Sequence, residues 1–171
     1  KDSGIYSRDI LAGKAYHRPL LVNTEKAWNY KWQPDESLVD GLRGGTNFNS
    51  DSFVAWNEEP MDVTIDMGED AQAYSSVTLC ILVDKLNYIF APASIEVGLS
   101  NDGENFDPVA HFDVATDNPS APDGLREIPV SFQESNARYI RVKAPVVNPI
   151  PDWHPGRGHS AFIFVDEIVV E

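Results

Sequence analysis

Two groups of residues here have the types and spacing for chemistry: oxygen donors on a glycine-rich loop, and tryptophans on other loops. The stretch Leu38-Val39-Asp40-Gly41-Leu42-Arg43-Gly44-Gly45-Thr46 places three glycines within five positions. Glycine takes positive φ at little steric cost, so such a loop can turn several carbonyls inward. Asp40 and Thr46 add side-chain oxygens. This donor set suits a hard cation such as calcium, which takes about six to eight oxygens in irregular geometry. The plainer reading is a turn in which Asp40 bonds its own backbone.

Residues for covalent or hydrolytic chemistry are harder to assemble. The sequence contains no His-Glu-x-x-His, no phosphate loop and no nucleophile elbow. With 27 carboxylates, some pair always falls at hydrolase spacing, so a pair alone carries little weight. His154 and His159 lack a third strong metal ligand nearby and are read as hydrogen-bonding groups. Cys80, the one cysteine, sits in an alternating apolar run and reads as a small buried hydrophobe.

These residues need elements to position them, and the patterning points to strands. Val63, Ile65 and Met67 alternate with Asp62, Thr64 and Asp66. Val77, Leu79 and Ile81 alternate with Ser76, Thr78 and Cys80. The same period of two runs through Ile95–Ser100, Ile128–Phe132 and Ile140–Lys143, and a last apolar run covers Phe162–Val170. Such alternation sends one side-chain set to a core and the other to water. Turn signals separate the runs: Gly68-Glu69-Asp70, Asn101-Asp102-Gly103, and the proline-bearing stretches 117–124 and 148–155. The expected fold is an all-β antiparallel sandwich or barrel.

The chain has 171 residues, enough for one domain with a sizeable core. Its net charge of −14 disfavours nucleic acid and anionic membrane surfaces as partners. No apolar run is long enough for a spanning helix. Because the chain opens on Lys1, it is expected to be part of something longer. Residues 1–18 read as a lead-in and 19–171 as the domain.

Three segments, in order, carry a resemblance. Val63-Thr64-Ile65-Asp66-Met67-Gly68, Ile95 through Phe106, and Ala137-Arg138-Tyr139-Ile140-Arg141-Val142 resemble the discoidin domain, also called the coagulation factor V/VIII C-type domain. A narrower likeness is carried by Asp40-Gly41-Leu42-Arg43-Gly44, Ile89-Phe90-Ala91-Pro92, Pro151-Asp152-Trp153-His154-Pro155-Gly156 and Phe164-Val165-Asp166-Glu167-Ile168. These look like the C-terminal module of bacterial chitobiase and β-hexosaminidase glycoside hydrolases. In one place the sequence departs: Phe53-Val54-Ala55-Trp56 stands where those modules often carry Trp-Gln-Gly-Phe.

The resemblance implies a jelly-roll, galactose-binding-like sandwich of about eight strands. It implies a structural calcium held by side chains of Asp40, Thr46 and Glu167, with carbonyls from Leu38, Arg43 and a residue near Val165. It also implies a non-catalytic accessory module that binds glycan, joined to a catalytic domain of the same chain, in a periplasmic, cell-surface or secreted protein. The rival implication is a docking module that binds no free glycan.

A sugar offers an apolar C–H face and a rim of hydroxyls, so its site needs an aromatic surface beside planar polar groups. Loops around Trp28 and Trp32, around Trp56 and Asn57, and around Trp153, His154 and Arg157 have that composition; the resemblance implies a fourth, from Lys85 to Ile89, with Asn87 and Tyr88. Trp56, just before a strand, is the one most expected to be core.

Overall fold

The computed structural model describes residues 13–115 and 117–171. Among the described residues nine strands form: β1 Leu20–Val22, β2 Val54–Trp56, β3 Met61–Asp66, β4 Tyr74–Val83, β5 Ser94–Ser100, β6 Asp107–Asp113, β7 Gly124–Ser135, β8 Tyr139–Ala144 and β9 Ile163–Val170. Helix is confined, among the described residues, to 3-10 turns at Trp28–Tyr30, Asp35–Val39 and Lys85–Asn87. The expected all-β antiparallel sandwich is what forms, in two sheets. One is five-stranded, in the order β1-β3-β8-β5-β6; the other is four-stranded, in the order β2-β9-β4-β7.

The alternating runs place their apolar members between the sheets. Val63 and Ile65 of β3, Ile140 and Val142 of β8, and Leu79 and Ile81 of β4 are all fully buried. β6 lacked an alternating signal, for a physical reason. β6 is an edge strand whose residues are mostly exposed, so it carries no apolar stripe. β7 is also an edge, and it accommodates Pro129 because its outer side donates no ladder hydrogen bond.

Strand register gathers the connections 23–53, 57–60, 84–93, 114–123 and 145–162 toward one end of the sandwich. Val83 opposes Gly124 there, Leu82 opposes Phe164 and Met61 opposes Ala144. Of the expected lead-in, residues 1–12 lie outside the described residues, and 13–18 pack on the domain. Lys14 N–H donates to the Val170 carbonyl at 2.7 Å, His17 N–H donates to Val39 at 2.8 Å, and Ala15 is buried.

β9 is buried along its whole length. Its inner residues Ile163, Val165, Ile168 and Val170 belong to the sandwich core. Its outer face is roofed by the long 23–53 connection. There Phe164 packs with Ala27, Phe53, Ala55, Leu82 and Ile89. A β-bulge follows: Cys80 pairs with Glu167 and Ile81 with Val165, so two residues of β9 stand against one of β4. The bulge turns the consecutive acids Asp166 and Glu167 toward the glycine-rich loop.

Asp166 is fully buried and accepts from Arg43 Nε and Gly44 N–H, both at 2.7 Å. Arg43 is buried too and reaches Glu127 through Nη1 at 2.8 Å. Removing one partner of such a pair strands the other charge out of water. Asp166→Ala is therefore expected to cost about 3–5 kcal/mol, read from urea unfolding. A loss within about 0.5 kcal/mol, the range of ordinary surface changes, would mean the pair does not hold the roof.

Candidate functional site

The glycine-rich loop follows the 3-10 turn Asp35–Val39. Asp40 accepts from Leu42 N–H at 2.9 Å, which is the local turn read from the sequence. Gly41 has φ +75° and donates its N–H to Glu167 Oε2 at 3.1 Å. Gly44 must be glycine, because a Cβ there would meet the Phe53 ring at 2.7 Å. Asp40 also hydrogen-bonds the Glu167 carboxyl, so two acids from distant segments meet. Burial, then the neighbouring Asp40, push Glu167 up to about 9. Burial also raises Asp166, against the pull of Arg43. The same enclosure pushes the Cys80 thiol up to about 12, leaving it an inert core group.

Of the expected ligand set, Asp40 and Glu167 come together, with buried Leu38 and Arg43 on the same loop. Thr46 is exposed at the far end of the loop. Val165 is a core residue in the ladder, between Val54 and Ile81, which removes it from the loop. Among the described residues, no three His, Cys, Asp or Glu side chains cluster as a metal site. The residues present still fit a hard cation, because the expected set needs two carboxylates plus carbonyls. Arg43 turns instead to Asp166 and Glu127, so it does not neutralise the Asp40–Glu167 pair.

The loop end holds the aromatic candidates, and they differ sharply in exposure. Trp28, on its 3-10 turn, is 77% exposed and Trp32 is 55% exposed. Pro34 and the short 3-10 turn keep these two indoles off any common helix. Trp56 is fully buried in the core, which corrects its assignment as a contact surface. Asn57 is committed as well, its Nδ2 donating to the carbonyls of Ser160 and Ala161 at 3.0 and 3.1 Å.

The Trp-His-Pro-Gly segment is a packing device. His154 is buried, with Nε2–H donating to the Lys85 carbonyl at 2.6 Å and Nδ1 accepting from Gly156 N–H at 2.9 Å. Both ring nitrogens are used, so His154 is corrected from a ligand group to a tie between two loops. Gly156 is required, since a Cβ would strike the Tyr88 ring at 2.7 Å. Tyr88 is half-buried against His154 and closes its turn at φ +63°. Asn87 is exposed and donates to Asp84 Oδ2 at 2.9 Å. Trp153 is 39% exposed beside Phe90, and Arg157 is exposed.

One hollow of about 310 Å³ lies under Trp28. Its walls are Lys26, Lys31, Asn57, Glu58 and Glu59, with Glu25 at the rim. Glu59 accepts from Glu25 N–H at 2.8 Å, and Lys31 Nζ reaches Glu25 Oε2 at 2.6 Å. That contact with Lys31 holds the Glu25 carboxyl below the usual range. Lys31 lies in the candidate stretch 28–33 and Glu58 and Glu59 in the stretch 47–59, though none was singled out from the sequence; Lys26 lay outside both.

The fold defines a class: an antiparallel β-sandwich like that of carbohydrate-binding modules. No family model and no curated protein sequence matches the chain. Among solved structures, it is similar to the module CBM32-3 from a family 31 glycoside hydrolase of Clostridium perfringens. That match has 19% identity, a TM-score of 0.56, and coverage of 88% of this chain and 89% of the other. It is also similar to a Clostridium perfringens CBM32 module in complex with GalNAc-β-1,3-galactose, at 16% identity and TM-score 0.53, covering 94% and 98%. A Streptococcus pneumoniae fucose binding module matches at 21% identity and TM-score 0.53, covering 92% and 93%.

The two kinds of tryptophan make a direct comparison. Trp56→Ala is expected to cost about 3–5 kcal/mol in urea unfolding, as for other large core truncations. Trp28→Ala is expected to stay within about 0.5 kcal/mol. Equal losses would contradict the division between core and surface.

Proposed function

We propose that this chain is a non-catalytic carbohydrate-binding module, taking glycan at its loop end. The observation that carries the reading is the Trp28 indole, 77% exposed over a hollow walled by amide, carboxylate and ammonium groups. An exposed indole costs hydration and contributes nothing to the core, so its retention on a rigid turn fits a ligand's apolar face. The nearby Glu58 and Lys31 can meet a ring's hydroxyls, which both donate and accept. The sandwiches it resembles include sugar-bound modules, which supports the same reading. We assign its parent to the glycoside hydrolases, of the chitobiase or β-hexosaminidase kind, working in the periplasm, at the cell surface or after secretion. Among the described residues no helix is long and apolar enough to cross a membrane.

A second reading, docking against the catalytic domain of the same chain, is favoured by one observation. Leu86 is 82% exposed, and the Lys85–His154 bond ties its turn to the loop bearing Trp153. That apolar surface suits a protein neighbour better than a sugar. Calorimetric titration with galactose, N-acetylglucosamine and chitooligosaccharides separates the two. Glycan binding predicts heat at millimolar sugar and an affinity loss of at least tenfold, about 1.4 kcal/mol, in Trp28→Ala. Silence with all of them favours docking.

Calcium is proposed as the brace between Asp40 and Glu167, with Leu38 and Arg43 carbonyls as further donors. It would neutralise two carboxylates that otherwise face each other away from water, the Glu167 carboxyl being pushed toward its protonated form. The metal-free protein has a Glu167 pKa near 9 when folded, against an ordinary 4.5 when unfolded. The folded state then holds a proton the unfolded chain releases, so stability falls as pH rises from 4.5 toward 9. In chelator, Glu167→Gln is expected to flatten that slope, and added calcium is expected to raise the melting temperature of the parent protein alone. An unchanged slope, or equal calcium responses, would remove Glu167 from the site.

A further inference from the structure

The outer face of the five-stranded sheet carries a feature that neither the loop end nor the acid pair uses. A cleft of about 830 Å³ opens there over β5, β6 and β8. Its floor is Gly98, at a strand centre where a side chain would stand on the sheet. A Cβ at that position would fit in ordinary contact with Phe106, at 3.4 Å, and would occupy part of the floor. Glycine weakens a strand interior, and here it keeps the sheet surface open beneath an overhanging loop.

The walls have two characters. Phe106, Pro108 and Val109 form an apolar side, with Phe106 half-buried and Val109 38% exposed. Facing them stand Glu96, Arg141 and Lys143. Arg141 is held rigid, with Nε and Nη2 donating to both oxygens of Asp62 at 2.8 and 2.7 Å. Asp62 is itself anchored by Asn23 at 3.0 Å. The guanidinium lies 5.6 Å from the Phe106 centroid, and Nη1 makes no hydrogen bond among the described residues. Glu96 pairs across the ladder with Lys143 on one side and His111 on the other.

Charge selects the occupant. Arg141 is neutralised by Asp62, and Glu96 stands opposite Lys143, so the centre has little net charge. Exposed Glu104 and Asp107 line the same cleft and repel an acidic chain. What remains is an apolar wall facing preorganised donors and acceptors, which complements a neutral polyhydroxylated ring. The cleft is open and adjoins a further depression of about 540 Å³, sharing Asn105, Asp107 and Val109 with it. That extent exceeds one ring and favours a chain running through over a terminal sugar.

We propose that this cleft is a second saccharide site, distinct from the loop end, that takes the interior of a neutral glycan chain. Phe106 and Val109 contact the C–H faces, while Glu96, Lys143 and the Arg141 Nη1 edge hold hydroxyls.

The test is an NMR titration of the ¹⁵N-labelled chain with chitohexaose, cellohexaose, xylohexaose and mannohexaose. At least one is expected to shift the amides of Gly98, Phe106 and Arg141. Those shifts are expected to persist in Trp28→Ala and to need about tenfold more ligand in Phe106→Ala. If Phe106→Ala loses the dispersion of a folded spectrum, Lys143→Ala, at an outward position, takes its place with the same expectation. No shift on this face with any of the four sugars overturns the proposal. So does loss of the shifts in Trp28→Ala, which would mean a single site.

Discussion

One constraint governs this structure: two consecutive acids on a central strand must be satisfied away from water. The bulge in β9 makes the arrangement possible, because it lets both Asp166 and Glu167 leave the inner face. Each then finds partners on the same loop. Asp166 takes the Arg43 guanidinium and the Gly44 N–H, and Glu167 takes the Gly41 N–H and the Asp40 carboxyl. A buried carboxylate left alone would cost far more than any single packing contact returns. The loop therefore cannot move away from β9 without exposing or stranding charge.

Everything on the outer face follows from that anchorage. The 23–53 connection is fixed at its middle, so its flanks can lay Ala27 and Phe53 over Phe164 and seal the four-stranded sheet. Sealing that sheet sets where the Trp28 turn projects, and Tyr30 stacks edge-on to Phe162 and Phe164 to hold the turn. At the same end, His154 ties the 145–162 connection to the Lys85 turn, and Lys85 pairs with Asp123. The loop end is thus a rigid surface built from several distant segments. Rigid loops on a sandwich suit recognition, since little ordering entropy is lost when a ligand arrives.

The sequence made the sandwich legible because its inner strands alternate cleanly, as in Val63-Thr64-Ile65 and Val77-Thr78-Leu79. Edge strand β6 stayed hidden, since Val109, His111 and Phe112 face solvent and carry no period. The meeting of Asp40 with Glu167 was legible through resemblance. The Arg43–Asp166–Glu127 cluster was not, because the bulge that aims Asp166 at Arg43 leaves no local signature. For Trp56 the place beside a strand signalled the core role that it has, while nothing in the stretch around Trp28 said how far that indole stands in water. His154 reads from the sequence as a hydrogen-bonding group, for a backbone carbonyl or a sugar, and its two ring nitrogens go to the Lys85 carbonyl and the Gly156 N–H.

The central claim, that an exposed loop-end indole contacts glycan, is tested most directly by the four tryptophan indole N–H resonances under titration with GalNAc-β-1,3-galactose and chitobiose. The account predicts that the Trp28 indole signal moves saturably with at least one of these sugars while the buried Trp56 signal stays fixed. An indole spectrum indifferent to both sugars, or one in which Trp56 moves and Trp28 does not, would contradict it.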